Sequence, residues 1–147
     1  MSLLRIAHVP PAKVEAGQTV LEAVRMMARE GVGAVAVLEK GEKDELCGVF
    51  TERDLMLRVV LQKLDPEHTK VGDVMTSPVA TIPENLTAEE AFNQMVDRHM
   101  RHLAIVSEDG DLLGMLSIRN LLEHLVQDLQ RELHSLDQYF SNDGPGG

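Results

Sequence analysis

The sequence predicts a mixed α/β (α+β) fold built from two β-α-β-β-α halves packed about a pseudo-two-fold axis. Three observations lead there. Thr19-Val-Leu-Glu-Ala-Val-Arg-Met-Met lines up with Thr87-Ala-Glu-Glu-Ala-Phe-Asn-Gln-Met, 68 residues further on. Gly48-Val-Phe-Thr-Glu-Arg-Asp-Leu lines up with Gly114-Met-Leu-Ser-Ile-Arg-Asn-Leu, 66 residues further on. The two-residue difference falls in a charged turn, where insertions cost little. Each copy also alternates short apolar runs with one amphipathic segment. A period this long marks a duplicated domain half rather than a solenoid unit.

Copy one begins at Pro10 with an extended segment, Ala12-Lys13-Val14, and copy two at Pro78 with Val79-Ala80-Thr81-Ile82. Thr19-x-x-Glu22 and Thr87-x-x-Glu90 are capping boxes, in which the hydroxyl takes one free amide and the carboxylate reaches back to another. The first helix buries Val20, Ala23, Val24 and Met27, and Gly31 and Gly33 end it. The runs Ala34–Leu38 and His102–Val106 are continuous, short and apolar, as buried strands are. Leu46–Phe50 and Leu112–Leu116 complete hairpins, and new helices start at Thr51 and Ser117. Residues 1–9 are a lead whose Leu3, Leu4 and Ile6 need something to pack on. Asp65 to His68 is a turn, and Lys70 to Met75 leads into copy two. The expected division is residues 1–68 for the first repeat, 69–128 for the second, and 129–147 for a helical extension with a disordered tail from Ser141.

That extension carries Leu122, Val126, Leu129, Leu133, Leu136 and Phe140, the 3-4 spacing of a helix-pair seam. It either folds back on the core or joins two copies of the chain.

With 44% apolar residues, 26% charged and only 3% aromatic, the composition is that of a globular chain whose core rests on Val, Leu, Ile, Ala and Met. The net charge of −10 argues against nonspecific nucleic-acid binding, which needs clustered Lys and Arg. No apolar run reaches membrane-spanning length, and Met1 to Pro11 lacks the pattern of a secretory leader. The single Cys47 allows no intrachain disulfide and fits a reducing cytoplasm. It lies in an apolar strand with no positive neighbour, so an inert thiol is expected. Neither a catalytic triad order nor a Gly-rich phosphate loop is present, and His99 and His102 lack a third ligand at fitting spacing, so no metal and no enzyme activity are expected.

Chemistry concentrates after each hairpin. In Gly48-x-x-Thr51-x-Arg53-Asp54 a strand gives way to a helix start. Unpaired amides and a partial positive charge attract phosphate there. The Thr hydroxyl suits a phosphate or sugar oxygen, and the Asp carboxylate suits the two hydroxyls of a ribose. Thr-x-x-Asp is equally a plain helix cap. Ser117-x-Arg119-Asn120 repeats the pattern in copy two.

With Asp73 to Ala91, Arg98-His-Met-Arg-His-Leu-Ala-Ile-Val and these two helix starts in the same order, the chain resembles a tandem pair of cystathionine-β-synthase (CBS) domains, the Bateman module, over roughly residues 9–128. The resemblance implies a small stand-alone CBS-domain protein with two clefts between its halves. Such clefts take AMP, ADP, ATP, S-adenosylmethionine or a dinucleotide as a regulatory ligand, with no obligatory cofactor. Carried over, one site has Thr51, Arg53 and Asp54 with backbone at Val14 and Gly33. The other has Ser117, Arg119 and Asn120 with backbone at Ile82, Arg101 and His102. Asn120 stands where an acid is usual, and Ala104 where Pro is common, which is expected to loosen the backbone there. Copy one is therefore expected to grip ribose better through Asp54, and copy two phosphate better through Arg101, His102 and Arg119. The expected function is regulatory sensing of an adenosine ligand by a homodimer, paired through the helices of the CBS pair and the C-terminal helix, that modulates a separate effector protein. The competing expectation is a dimeric scaffold with empty clefts.

Overall fold

A computed structural model describes residues 2–142. Each half holds a three-stranded sheet. In the first, β1 (Lys13–Glu15) runs parallel to β2 (Ala34–Glu39), which pairs antiparallel with β3 (Glu45–Thr51). A parallel pair needs a crossover, and α1 (Val20–Glu30) supplies it. After β3 come a single helical turn, α2 (Glu52–Asp54), a wider π-helical stretch over Leu55–Val60, and the short α3 (Val71–Val74). The second half repeats the sheet with β4 (Thr81–Pro83), α4 (Ala88–Arg98), β5 (His102–Val106) and β6 (Leu112–Ser117). It ends in α5, a helix of 25 residues (Ile118–Asn142). The expected tail from Ser141 thus begins as helix, and residues 143–147 lie outside the described residues.

Local chemistry sets the ends. Both capping boxes form: Thr19 and Thr87 each accept from the amide three residues on, and Glu22 and Glu90 reach back. Gly31 closes α1 in the left-handed region at φ 66°, and His99 does the same for α4 at φ 54°. The two β-hairpins share a bulge, between Val37 and Leu38 and between Ile105 and Val106. Cys47 sits opposite the first, half-buried, its thiol donating to the Val37 carbonyl at 3.3 Å and pushed up in pKa chiefly by burial, as an inert thiol should be.

Alternation along the strands divides the burial. Val35, Val37 and Phe50 face Val20, Ala23 and Met27 in one core, while Leu103, Ile105 and Leu116 face Ala91, Met95 and Leu121 in the other. On the opposite faces Ala36, Ala104 and Met115 are buried together, with Val49, Leu46 and Leu112 packed against them. Small side chains at the equivalent positions 36 and 104 let the two sheets approach closely about the pseudo-axis. Ala104 does not loosen its strand: its amide donates to Ala80 O at 3.1 Å, a bond proline could not make, matching Ala36 to Ala12 at 2.9 Å.

The leading segments cross over. His8 pairs with Met115 in β6, and Thr76 pairs with Val49 in β3. Leu3 is buried in the second core, where Leu4 and Ile6 also pack, and Val71 and Val74 are buried in the first. Each half therefore completes its sheet and core with the segment that precedes the other half's first strand.

Candidate functional site

Thr51 ends β3 and caps the following turn. Its hydroxyl accepts from Asp54 N at 3.2 Å, while Asp54 Oδ2 accepts from Thr51 N at 3.0 Å and from Thr51 Oγ1 at 3.2 Å. Asp54 Oδ1 accepts from Thr76 Oγ1 at 2.8 Å, and Arg58 Nε lies 3.6 Å away. Asp54 is only 5% exposed, the one buried charged residue among those described. An ionised carboxylate offers about four acceptor sites. Three are filled by protein donors and Arg58 stands at the fourth, so Asp54 is committed to the fold. This bears on the expectation that its carboxylate grips ribose: without ligand its acceptor sites are engaged by the protein.

Copy two differs. Ser117 Oγ accepts from Asn120 N at 3.1 Å, but the Asn120 side chain, half-buried, makes no hydrogen bond with any described residue. It is free to meet a sugar hydroxyl. Arg119 is exposed and reaches Glu123 at 3.4 Å. Arg53 and Arg101 are exposed, with no ion pair among the described residues. Val14 and Ile82 are buried in the two cores, at the centres of β1 and β4, which are edge strands of their sheets.

Two backbone bonds stitch the helix starts to the beginnings of the central strands: Glu52 N donates to Gly33 O at 3.0 Å, and Ile118 N to Arg101 O at 2.8 Å. Because residues 34 and 36, and 102 and 104, share the face toward the other sheet, His102 points across the pseudo-axis. A Cβ on Gly33 would lie 3.5 Å from His102 Cε1 and 3.1 Å from Glu52 Oε1. Gly33 and His102, which the sequence assigned to opposite clefts, are thus neighbours, and a Cβ at 33 would touch His102 and ask the exposed Glu52 side chain to shift slightly. Burial pushes the His102 imidazole below its ordinary value, Glu52 opposes this, and Arg101 adds to it. Glu52 is an exposed first-turn acid, and sequence reasoning missed it because no local signal tells that His102 stands near it.

The result is a polar rim of Gly33, Glu52 and His102, with Arg101 next to His102 in the chain and the Thr51 and Ser117 helix starts to either side. Guanidinium groups and helix-start amides can hold an anion, and the neutral amide and imidazole can hold hydroxyls. No group of three His, Cys, Asp or Glu side chains converges among the described residues. No helix among them is long and apolar enough to cross a membrane.

The CBS-domain profile matches this chain twice, over residues 5–61 and 71–127. An uncharacterized protein of Methanopyrus kandleri is 34% identical over 124 residues, covering 82% of this chain and 62% of that protein. A mitochondrial CBS domain-containing protein of Arabidopsis thaliana is 33% identical over 123 residues, covering 82% and 59%. The chain thus spans about three fifths of the length of these relatives. Among solved structures, a putative signal-transduction protein with CBS domains from Burkholderia ambifaria is 29% identical with a TM-score of 0.75, covering 87% of this chain and 96% of that one. A CBS-domain protein of Pyrobaculum aerophilum complexed with AMP is 25% identical with a TM-score of 0.73, covering 86% and 99%.

Proposed function

This chain belongs to the CBS-domain family, and from that premise we propose that it is a regulatory module that binds an adenosine nucleotide between its two halves. The observation that carries the reading is the rim where Gly33 and His102 meet across the pseudo-axis beside the exposed Arg101, in a chain whose net charge is −10. A local positive field inside an acidic surface selects small anions over polyanions. The AMP complex of the Pyrobaculum aerophilum relative supports adenosine as the nucleoside. Phosphate lies on Arg101 and Arg119, and ribose on Asn120 and the Ser117 hydroxyl. Asp54 holds the floor rather than the sugar. No obligatory cofactor and no catalytic step enter this reading, and the effector is a separate protein in the cytoplasm, the compartment that the lone Cys47 fits.

Two copies associate through the π-helical stretch over Leu55–Val60 and the turn that follows it. Met56, Val60 and Leu61 there are 54%, 61% and 64% exposed. A two-fold contact can cover such a patch on both copies at once.

Thermal unfolding tests the ligand, with AMP, ADP, ATP with and without magnesium, S-adenosylmethionine and NADH, and GTP as control. A ligand at one hundred times its Kd adds about 2.7 kcal/mol, worth several degrees at this size. A shift with adenosine compounds, reduced to about half in Arg101→Ala at the same concentration, supports the reading. No shift at millimolar concentration refutes it. A second reading, an empty-cleft scaffold, is favoured by one observation: Asp54 is fully used as a structural cap. It predicts the no-shift outcome.

A further inference from the structure

The apolar stripe of α5 does not fold back. Leu122 is 41% exposed, and the five that follow are all more open, from Val126 at 50% to Phe140 at 66%. A shallow furrow between Leu122, Val126 and Gln130 lies along it. The spacing of its six apolar residues is the strict heptad alternation of a two-helix seam, not the wider face of a helix that packs on a globular core. At 1.5 Å per residue it is about 27 Å long, enough for a partner helix of some five turns.

The residues that flank the seam decide what that partner is. On one side stand Glu123, Gln130 and Asp137, and on the other Leu125, Glu132 and Tyr139. Three are acids and none is Lys or Arg. The nearest basic residues are turned away or paired: Arg131 holds Asp128 at 3.1 Å, and Arg119 lies beside Glu123. A second copy fits poorly. Parallel pairing sets Glu132 of one copy beside Asp137 of the other. Antiparallel pairing that uses all six apolar layers sets Glu123 beside Asp137 and Glu132 beside Glu132. Sliding by one heptad separates these acids only by uncovering two of the six apolar residues on each helix. Charges at these flanking positions set partner choice in helix pairs, and like charges placed together act against the wrong partner.

We propose that α5 is the docking site for a basic amphipathic helix of another protein, with Leu-like residues at 3-4 spacing and Lys or Arg at the flanks. Its apolar side chains cover Leu122 to Phe140, and its cations meet Glu123, Glu132 and Asp137. The inference is independent of nucleotide binding, and it removes the C-terminal helix from the self-contact that its apolar spacing alone predicts.

The test uses the full chain without nucleotide and two synthetic 21-residue helices with the same leucine seam, one flanked by Lys and one by Glu. Fluorescence anisotropy reads binding at low and high salt. The Lys-flanked helix binds the wild-type chain, with affinity falling as salt rises. It binds Leu133→Asp at least tenfold more weakly. The Glu132→Lys/Asp137→Lys chain reverses the preference and takes the Glu-flanked helix. Both variants change exposed positions, and their circular dichroism melts check that the fold is kept. Equal affinity for the two helices, or binding of neither, overturns the proposal. So does a Leu133→Asp chain that loses oligomers in sedimentation equilibrium while the wild type keeps them, which makes a second copy the occupant.

Discussion

Thr76 Oγ1 donates to Asp54 Oδ1 at 2.8 Å, tying the segment that leads into the second half to the helix cap of the first. Asp54 thereby holds the crossed leading segment onto the first half. Asp54→Ala leaves the Thr51 amide and hydroxyl, the Thr76 hydroxyl and the Arg58 guanidinium short of an acceptor, and stability should fall by about 1–3 kcal/mol. Thr76→Val should cost less, about 1 kcal/mol, since one bond is lost. Chemical denaturation of both single variants and the double variant checks this. Strict additivity would show that the two side chains are not coupled.

Ligand affinity should follow the rim and not Asp54. Arg101→Ala should weaken AMP binding about tenfold, the worth of one charge-assisted hydrogen bond. Glu52→Gln should strengthen it, because the carboxylate beside Gly33 opposes an incoming phosphate. Calorimetric titration with AMP reads both. Weaker binding in Glu52→Gln would mean that this acid holds the ligand rather than repels it.

His102 gives a pH signature. Burial holds its folded pKa below the ordinary 6.5, so the unfolded chain takes up a proton first as pH falls. Stability should therefore drop below about pH 6.5 until the folded imidazole also protonates, with no His102 contribution above that. Exposed His68, raised chiefly by its hydrogen bond to Asp65, works the opposite way: its contribution is present below 6.5 and fades as pH rises through the raised value. Relative to wild type, His102→Gln should gain urea resistance at pH 5.5 over pH 7.5, and His68→Gln should lose it.

Close approach at the crossed segments predicts a graded glycine effect. A Cβ at Gly48 would run into the Met75 side chain and lie 3.0 Å from Thr76 O, whereas at the equivalent Gly114 the nearest atom is Val9 Cγ2 at 3.0 Å. Gly48→Ala should cost about 1–3 kcal/mol and Gly114→Ala less. Thermal melts of the two variants rank them, and the opposite order would contradict the packing.

Much of this architecture is written locally. The boxes at Thr19 and Thr87, the short strands and the turns each rest on a few adjacent residues, and the duplication checks every assignment twice. What escaped the sequence depends on distance along the chain. The pairing of His8 with Met115, the burial of Asp54 under Thr76, and the meeting of Gly33, Glu52 and His102 join residues that no periodicity relates. Thr51-x-x-Asp54 reads the same whether or not a distant donor such as Thr76 engages its carboxylate, and nothing local tells that Thr76 does.

The crossed leading segments bear on how such a chain could arise. A single ancestral repeat with its own lead could not pair that lead with itself, because the lead's partner strand is the one in the opposite half. Two separate chains would have to exchange arms. The present molecule is that exchange made covalent, and a cut between Leu64 and Lys70 should yield two pieces that are stable only in each other's company.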